Sequence, residues 1–430
     1  MLPDKPQTRR PALAGLRVID MARVLAGPTC AQTLADLGAD VIKIERPGIG
    51  DDTRPWGPPW LPDVNGEPTR DSTYFSSANR NKRSIAINLA NDAGAALVRQ
   101  LACKADVLLE NYKVGDLARR GLDYAALSKL NPRLVYCSIT GFGQTGPLRE
   151  RPGYDYIFQG VGGLMSVTGI PDGEPGGGPM KIGASIVDLS TGLYASVAIL
   201  AALRERDASG FGQYIDMALF DTVAALTMHQ AAGYFQTGKV PTRQGNSSGG
   251  IMMPYETFKC ADGHLIVACG NNSQWQALCK ALARDDLAAD PRFASPSSRQ
   301  INRDSALSEL RRTFSERTVA DLASRLDATL VTLFDGLDAR YGPGGWAAAL
   351  SAEEPAEEAP EEHQRDGDRG QRVQQGFRGG GRLQRGQAAG DTTGRHRVAQ
   401  RQEDREAQQQ RRLSHRLAAV DAVGHVAVLV

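Results

Sequence analysis

Short apolar segments alternate with helical patterns between Leu16 and Phe142, and this alternation limits the possible folds of the chain more than any other feature. The segments LRVIDM, DVIKIE, DVLLEN and RLVYCSI predict strands, whereas PTCAQTLADLG and DAGAALVRQLACK predict helices between them. Strands that alternate with helices through short links form a parallel sheet that is covered on both faces. The predicted fold class is therefore α/β, with a Rossmann-like parallel sheet in a large domain.

Ligands of such sheets bind outside the carboxyl ends of the strands. The loops after Met21, Glu45, Glu110 and Ile139 are therefore predicted to share one rim. The first strand-to-helix turn reads ARVLAGP and lacks the GxGxxG pattern with which dinucleotide-binding folds hold phosphates. A nicotinamide or flavin enzyme is therefore disfavoured.

The 430 residues exceed what one hydrophobic core usually organises, so more than one folding unit is expected. We predict a large domain at 1–225 and a smaller α+β domain at 226–335, in which PYETFKCADGHLIVACG forms two strands. Residues 336–430 form an atypical tail with no lysine, few aromatic residues, and many Glu, Gln, Arg and Gly. Such a low-complexity composition buries too little apolar surface to offset the entropy of ordering, so disorder is predicted there.

Composition and charge favour a small-molecule partner. A formal net charge of +1, with 23% charged residues, gives no overall field that attracts nucleic acid or an anionic membrane. The most apolar window, residues 189–203, is interrupted by polar residues and is shorter than the roughly 20 residues of a membrane span. This window predicts a buried helix, and neither nucleic acid nor a membrane is expected as a partner.

The six cysteines are scattered and never spaced as CxxC, which argues against a disulfide framework and against a zinc site. The N-terminal MLPDKPQTRRPALAG carries prolines and charges where a signal peptide needs an apolar core. We therefore expect no secretion signal and no metal, and we predict a reducing, cytoplasmic location.

One carboxylate, Asp155, is placed between a loop and a glycine-rich stretch in RPGYDYIFQGVGGL, residues 151–164. An aspartate is ionised at neutral pH, and partial burial beside Tyr154, Tyr156 and Ile157 would strip its hydration and make it more reactive. Asp155 is therefore a candidate nucleophile for attack on a thioester carbonyl. The alternative is a structural role, as the cap of a helix that begins near Tyr156.

The glycines of GVGG, residues 160–163, have two interpretations. Their backbone N–H groups could donate to a developing oxyanion. Equally, the missing side chains could let a helix pack closely against the sheet. The residues alone leave both interpretations open.

The Gly-Tyr-Asp at 153–155, followed by Gly160, Gly162 and Gly163, resembles the active-site segment of the family III coenzyme A (CoA) transferases, the CaiB/BaiF type. The similarity extends through LAGLRVIDMARVLAGPTCAQTLADLGADVIKIERPGIGD, ANRNKRSIAINL, ADVLLENYKVGDLARRGL, LNPRLVYCSITGFGQTGP and DLSTGLYASVAILAAL. It fades near Asp327, so it covers about three quarters of the chain. The resemblance implies an enzyme that transfers a sulfur-containing group and acts as an interlocked homodimer.

The resemblance also implies covalent catalysis by Asp155, which would attack an acyl-CoA to give a mixed anhydride and CoA thiolate. The thiolate would then form an aspartyl-CoA thioester, from which an acceptor carboxylic acid takes CoA. CoA thus enters as a thioester substrate, and no permanently bound cofactor is implied. The segments PYETF and GNN are similar to those of dicarboxylate-using members, which implies a succinyl-type donor.

Several residues are candidates for binding CoA. By resemblance, five residues match CoA-contacting positions of the family: Leu25, Ala26, Arg46, Asn111 and Arg119. Formyl-CoA enzymes carry glutamine in place of Leu25, which disfavours formate or oxalate as the substrate here. Basic side chains on loops of the rim also suit the phosphates of CoA. The SGG at 248–250 is either the mobile glycine loop of the family or an ordinary turn. The predicted CoA-binding set is Leu25, Ala26, Arg46, Lys82, Arg83, Asn111, Lys113, Arg119, Gly249 and Gly250.

Two other functions are compatible with the sequence. Racemisation of a 2-methylacyl-CoA, in the same superfamily, needs bases on both faces of the α-carbon and uses a histidine with an aspartate. No histidine precedes His229, and Tyr154 stands where racemases read GHD, so transfer is favoured over racemisation.

The second alternative is an inactive product, because the family pattern is lost near the C-terminus. We hypothesise that a frameshift generated the residues after Gly336, where the composition changes abruptly. Translating the underlying DNA in the other two frames tests this hypothesis, which requires a family-like C-terminus in one of them.

Overall fold

The computed structural model describes residues 10–247, 252–326 and 331–332. The chain divides between Gly249 and Gly250 into two compact units. This division comes later than the predicted boundary between 225 and 226, because the chain up to Gly245 is bound to the first unit; the Gly245 N–H donates to the Gly169 carbonyl at 3.0 Å. The predicted tail at 336–430 lies outside the described residues.

A parallel sheet forms the centre of the first unit. The strands of this unit are β1 (Arg17–Asp20), β2 (Asp40–Glu45), β3 (Trp60–Pro62), β4 (Pro68–Ser72), β5 (Lys82–Ala86), β6 (Val107–Glu110), β7 (Val135–Thr140) and β8 (Tyr214–Ala218). Six of them pair in the order β5-β2-β1-β6-β7-β8, with every neighbouring pair parallel. The remaining two, β3 and β4, form an antiparallel pair. The α/β fold with a parallel sheet is confirmed.

Helices cover both faces of this sheet. They are α1 (Ala26–Asp36), α2 (Thr73–Ser77), α3 (Asp92–Ala102), α4 (Tyr124–Leu130), α5 (Asp155–Val161), α6 (Leu164–Val167), α7 (Ile186–Ser209), α8 (Leu219–Leu226) and α9 (Met228–Thr237), with a 3₁₀ turn at Ala118–Arg120. Because side chains alternate along a strand, Val18 packs into the core formed with α1 and α7, whereas Ile19 packs into the core formed with α3 and α4. Both faces of β1 are therefore fully buried, as in other doubly covered sheets.

The longest helix, α7, has one buried and one exposed face. Ala195 and Ile199 are fully buried, whereas Leu193 and Val197 are more than half exposed. Among the described residues α7 is long and apolar enough to cross a membrane by length and composition alone, and 50% of its most apolar window is buried within the protein. The sequence predicted a buried helix here, and the structure buries the half that packs against α1 and the sheet.

The second unit combines a small antiparallel sheet with short helices. Its elements are β9 (Tyr255–Lys259), β10 (His264–Ala268), β11 (Val331–Thr332), α10 (Asn272–Ala281), α11 (Asp285–Ala289), α12 (Pro296–Ile301), α13 (Arg303–Ser315) and α14 (Val319–Arg325), with a 3₁₀ turn at Pro291–Phe293. The strands β9 and β10 pair antiparallel, which confirms the two predicted strands. Phe258 and Phe314 stack at 4.5 Å between ring centroids in the core of this α+β unit.

Replacing Gly192 in α7 by alanine is expected to lower the free energy of unfolding by about 1 to 3 kcal/mol. The added Cβ would lie 2.7 Å from the Ala26 carbonyl oxygen of α1, so the two helices would have to separate. Gly233→Ala in α9 is the matched control, since a Cβ there meets nothing within 4 Å. Urea unfolding followed by circular dichroism measures both variants. Equal stabilities would contradict the close packing of α1 against α7.

Candidate active site

Asp155 is the first residue of α5, and its side chain is almost completely buried. The N-cap of α5 is Tyr154, which makes no capping side-chain bond. The Asp155 carboxylate reaches across to α7, where its Oδ1 accepts the backbone N–H groups of Val187 (2.7 Å) and Asp188 (3.1 Å). A role for Asp155 as the cap of its own helix is therefore wrong, because it caps α7. The free N–H groups and the dipole at a helix N-terminus favour a negative charge there.

Gln159 holds the second oxygen of this carboxylate. It lies one turn after Asp155 on α5, is fully buried, and donates from Nε2 to Asp155 Oδ2 at 2.6 Å. Its Oε1 accepts the Ile182 N–H at 2.8 Å, which fixes the orientation of the amide so that nitrogen faces the carboxylate. Sequence reasoning missed Gln159, although the spacing of four residues in DYIFQ places both side chains on one face of a helix.

A second buried acid, Asp188, lies beside Asp155. Its side chain lines the cleft described below, and burial together with the charge of Asp155 raises its pKa to about 7. Tyr74 is close enough to the same two acids to be affected by them: burial, and then the charges of Asp188 and Asp155, raise the pKa of its phenol. Neither Asp188 nor Tyr74 was predicted as a site residue, because only the folded chain brings them beside Asp155.

The loops at the carboxyl ends of four strands enclose a cleft of about 290 Å³. The first turn contributes residues 23–26, the loop after β6 residues 111–114, and the end of β7 with its following loop residues 139–141 and 149–154. Asp52, after β2, Asp188 and Leu219 complete the lining. The predicted rim is thus confirmed. Tyr154, directly before the nucleophile candidate, lines the cleft and is 65% exposed.

The first turn of the cleft has a strained backbone. Val24 has a φ of +70°, which is rare for a β-branched residue and costs on the order of 1 to 3 kcal/mol. Asn111 stabilises this turn, because its Oδ1 accepts the Arg23 N–H (2.9 Å) and its Nδ2 donates to the Arg23 carbonyl (2.7 Å). The turn presents Leu25 and Ala26, which are nearly buried and line the cleft. Three predicted CoA-binding residues therefore meet here.

Beneath this turn lies a buried group of two lysines and two aspartates. Lys43 Nζ lies 2.9 Å from Asp51 Oδ2 and 3.8 Å from Asp20 Oδ2, and it donates to the Ala22 carbonyl at 2.8 Å. Burial alone would lower the pKa of Lys43, but the negative charges of Asp20 and Asp51 have the larger combined effect. The pKa of Lys43 is therefore raised. Asp51 Oδ1 in turn accepts the Val24 N–H at 3.4 Å. This group therefore helps to stabilise the strained turn through the bond from Val24 to Asp51.

Lys82 belongs to the same buried group, which corrects its predicted place on a loop of the rim. It is the first residue of β5, its side chain is 2% exposed, and burial lowers its pKa. Its ammonium donates to Asp20 Oδ2 (2.9 Å), the Pro28 carbonyl (2.8 Å) and Asn79 Oδ1 (2.9 Å). An ammonium has three donors, so Lys82 has none left for a phosphate.

Arg83 also lies away from the rim, since it follows Lys82 at the amino end of β5 and pairs with Asp40 at the amino end of β2. Arg46 lies on an exposed loop, as predicted, and is paired with Asp52. Arg119 lies in the 3₁₀ turn at Ala118–Arg120 and is paired with Asp116. Neither arginine is among the residues that line the cleft. The predicted glycines Gly249 and Gly250 lie outside the described residues.

Two cations of the cleft have no carboxylate partner in the described part of the chain. They are Lys113 and Arg151, which are exposed and line the cleft. Lys113 was predicted as a CoA-binding residue, whereas Arg151 was not. Arg23, by contrast, pairs with Asp52 at 3.0 Å and stands over the Tyr112 ring. Lys113 and Arg151 are thus the cleft residues best placed to bind an anionic ligand.

Glu110 connects two loops of the cleft. It ends β6, is 5% exposed, and accepts the Tyr112 N–H at 2.7 Å, while its other oxygen is hydrogen-bonded to the Ser138 hydroxyl. Ser138 Oγ also accepts from Gln144 Nε2 at 2.7 Å, in the loop that leads to Asp155. Burial raises the pKa of Glu110 to about 7.

Of the glycines after Asp155, Gly162 serves close packing. A Cβ at Gly162 would lie 2.1 Å from a methyl group of Val223, so α5 and α8 need glycine there. Gly163 instead has a φ of +79°, a backbone conformation that favours glycine. The N–H groups of Gly162 and Gly163 donate to the carbonyls of Phe158 (2.9 Å) and Gly160 (3.1 Å), so both are occupied, which disfavours oxyanion binding by these two residues.

The second unit has an open hollow of about 420 Å³, lined by Thr257, Lys259, Arg311, Arg312 and Ser315. Arg311 is paired with Glu256, and Arg312 with Glu309. The lining offers no nucleophilic acid, so we place the active site in the cleft of the first unit. Among the residues that the structure describes, no group of His, Cys, Asp or Glu is arranged to hold a metal ion.

Comparison with known proteins identifies the class of enzyme as a transferase. The model of CoA-transferase family III matches residues 13–333, and the chain belongs to that family. The resemblance seen in the Gly-Tyr-Asp segment is thereby confirmed, and with it the prediction of an enzyme that transfers CoA.

Individual relatives are similar over most of their length. Succinate–glutarate CoA-transferase of Agrobacterium fabrum is 50% identical over 291 residues, which are 68% of this chain and 71% of the relative. Succinyl-CoA:glutarate CoA-transferase of Mus musculus is 44% identical over 77% of this chain and 71% of its own. The crystal structure of a CaiB/BaiF family protein from Brucella suis superposes with a TM-score of 0.67, at 44% identity, over 79% of this chain and 88% of that one.

The variant Glu110→Gln is expected to gain stability over the wild type as pH rises. The pKa of Glu110 in the folded protein, about 7, lies above its ordinary value of 4.5, so its stabilising contribution is complete below pH 4.5 and is lost as pH rises through 7. At pH 8 the wild type must bury a charge that glutamine avoids, a difference of about 1 to 3 kcal/mol.

Urea unfolding of both proteins between pH 5 and 8 measures this difference. The exposed Glu67→Gln is the control, for which no growing difference is expected. A difference in stability between Glu110→Gln and wild type that stays constant across this pH range would contradict the raised pKa of the buried Glu110 carboxyl.

Proposed function

We propose that this enzyme transfers CoA from a succinyl-type acyl-CoA to a carboxylic acid through covalent intermediates on Asp155. The observation that carries the proposal is the position of the Asp155 carboxylate, which is held against the N-terminus of α7 next to Tyr154 and Asp188, two residues that line the cleft. The choice of a dicarboxylic donor is supported by the similar enzymes of Agrobacterium fabrum and Mus musculus, whose names specify succinate or succinyl-CoA with glutarate.

In the first step, Asp155 Oδ2 attacks the thioester carbonyl. This oxygen accepts one hydrogen bond, from Gln159, whereas Oδ1 accepts two backbone N–H groups, so Oδ2 is the less encumbered of the pair. A C–O bond forms, the C–S bond breaks, and CoA leaves as its thiolate. The product is a mixed anhydride between Asp155 and the donor acid.

In the second step, the thiolate attacks Asp155 Cγ and expels the donor carboxylate. Negative charge then develops on Oδ1, which already lies 2.7 and 3.1 Å from the N–H groups of Val187 and Asp188. These distances are those of an oxyanion hole, and the dipole of the 24-residue α7 adds to the stabilisation. The helix N-terminus therefore takes the role first considered for the GVGG glycines.

The acceptor acid completes the exchange by the same steps in reverse. Its carboxylate attacks the aspartyl-CoA thioester, the thiolate leaves, and the thiolate then attacks the acceptor carbonyl of the new anhydride. Asp155 is released as a carboxylate, and the sequence consumes no proton and needs no co-reactant. Each turnover exchanges one acid for another on CoA.

Residues of the cleft are proposed to place CoA for these steps. Leu25 and Ala26 offer apolar surface and backbone beside the pantetheine arm, and Lys113 and Arg151 offer charge-assisted bonds to phosphate. Asn111 acts indirectly, because both ends of its amide hold the backbone of Arg23.

Asp188 is proposed to reduce repulsion in the site. Because its pKa is raised to about 7, it carries a proton over part of the neutral range, unlike an ordinary aspartate. A protonated Asp188 beside Asp155 leaves the pair with a single negative charge. An anionic carboxylic acid can then approach at a lower electrostatic cost.

We also propose that the enzyme is a cytoplasmic homodimer. The exposed apolar side chains Leu193 and Val197 of α7 and Tyr156 and Val161 of α5 offer a surface that a second subunit could cover. The six cysteines are free thiols, which suits a reducing compartment.

Mixing the protein with succinyl-CoA, without an acceptor, is expected to leave a covalent CoA adduct on the peptide that contains Asp155, detectable by mass spectrometry. Asp155→Ala should lose the adduct and, on the order of 10³-fold or more, the transfer rate. Asp207→Ala, an exposed change at the far end of α7, is the matched control and should keep both.

Retention of the adduct in Asp155→Ala would overturn the assignment of the nucleophile. Uptake of α-deuterium by a 2-methylacyl-CoA in deuterated water, without an acceptor acid, would instead support racemisation. Circular dichroism of each variant verifies that the fold is intact.

A further inference from the structure

A short segment before α7, residues 181–185, packs against the residue that holds the nucleophile. The Ile182 N–H donates to Gln159 Oε1 at 2.8 Å, and Gln159 Nε2 lies 3.4 Å from the Ala184 carbonyl oxygen. Gln159 in turn donates to Asp155. Only one side chain therefore separates this segment from the reacting carboxylate.

Lys181 brings to this segment a positive charge that is hydrogen-bonded to two carbonyls but has no carboxylate partner among the described residues. Its side chain is exposed, and its ammonium donates to the carbonyls of Ile182 (3.3 Å) and Gly183 (3.2 Å), both at the long end of the hydrogen-bond range. No carboxylate of the described residues pairs with it, whereas Arg243 is paired with Asp172. A lysine ammonium on a flexible stem can leave two such weak bonds for an anion.

The space beside Lys181 is open. A Cβ built on Gly183 would meet no atom within 4 Å, so the space on that side of the segment is open. The neighbouring residues Ala184 and Lys181 itself are exposed. A small carboxylate can therefore approach the ammonium without displacing protein atoms.

The charges at the reacting centre create a need for such a cation. Asp155 and Asp188 lie together, so a substrate with a second carboxylate meets repulsion as it becomes partly buried beside them. The cleft cations Lys113 and Arg151 lie on the loops after β6 and β7, where the proposed function assigns them to phosphate. A separate positive group on the Gln159 side would compensate the second carboxylate.

We propose that Lys181 binds the substrate carboxylate that does not react, and so selects dicarboxylic over monocarboxylic acids. This inference rests on the proposed function, because it names a recognition residue for the same site. Lys181 is a specificity residue that remains unchanged by the reaction. The bond it makes is a charge-assisted pair between ammonium and carboxylate.

The test compares Lys181→Met with wild type, using glutarate as acceptor and a donor pair that differs at one end, succinyl-CoA and butyryl-CoA. Lys181→Met is expected to raise the KM for glutarate about 10- to 100-fold, the usual range for a hydrogen bond to a charged group, with kcat changed less than about twofold. Lys181→Arg should recover part of the loss, since it keeps the charge. Lys129→Met, an exposed change on α4, is the matched control and should leave both constants unaltered.

Adduct formation from butyryl-CoA separates this inference from the proposed function. The inference is supported if the adduct on Asp155 forms from butyryl-CoA equally in wild type and Lys181→Met. The variant should then be impaired only in its reactions with succinyl-CoA and glutarate. Two results would overturn the inference while leaving Asp155 as the nucleophile. One is a KM for glutarate that Lys181→Met does not change. The other is an equal loss of adduct formation with succinyl-CoA and with butyryl-CoA in this variant. Absence of any adduct in wild type would overturn the proposed function.

Discussion

The hydrogen bonds from the first turn of α7 to the Asp155 carboxylate are the interaction on which the rest of the site depends. A nearly buried carboxylate needs donors to replace its water, and the free N–H groups of Val187 and Asp188 supply them. Because α7 is anchored by Ala195 and Ile199 in the main core, the position of the carboxylate is set by packing far from the surface. In the proposed mechanism, the same N–H groups stabilise the negative charge that develops on this oxygen.

The other side of the cleft depends on a second set of buried polar contacts. The strained φ of Val24 is maintained by Asn111, which binds the backbone of Arg23, and by Asp51, which accepts the Val24 N–H. Asp51 in turn is paired with Lys43. Buried ion pairs add little net stability, because desolvation offsets much of their attraction, but breaking one leaves an uncompensated charge. Such a group therefore serves to fix one conformation of the turn rather than to strengthen the fold. The cleft thus combines this hydrogen-bonded turn with the exposed cations Lys113 and Arg151.

Much of the fold was predictable from the sequence, because strand and helix patterns in this chain are local. The strands β1, β2, β6 and β7 follow from their apolar runs, and the Gly-Tyr-Asp segment predicts Asp155 as the nucleophile. Lys82 could not be placed correctly, since KRS resembles an exposed basic run and only the pairing of β5 with β2 buries its first residue.

The remaining site residues depend on contacts between distant parts of the chain. Asp188 and Lys181 stand more than 25 residues after Asp155, and Tyr74 stands 81 residues before it, so no local spacing connects them. Asp188, for example, lies beside Asp155 only because α7 begins at the Asp155 carboxylate. Gln159 is the exception, because its helical spacing from Asp155 was present in the sequence.

The central claim, that Asp155 is acylated and then carries CoA, is tested most directly by following oxygen atoms. In the proposed mechanism the donor acid leaves with an oxygen of Asp155, and the acceptor carboxylate replaces that oxygen with one of its own. After turnover with an acceptor labelled with ¹⁸O, the peptide containing Asp155 should carry the label, which mass spectrometry detects. Transfer of CoA with no label in Asp155 would show that the acyl groups never bond to this carboxylate.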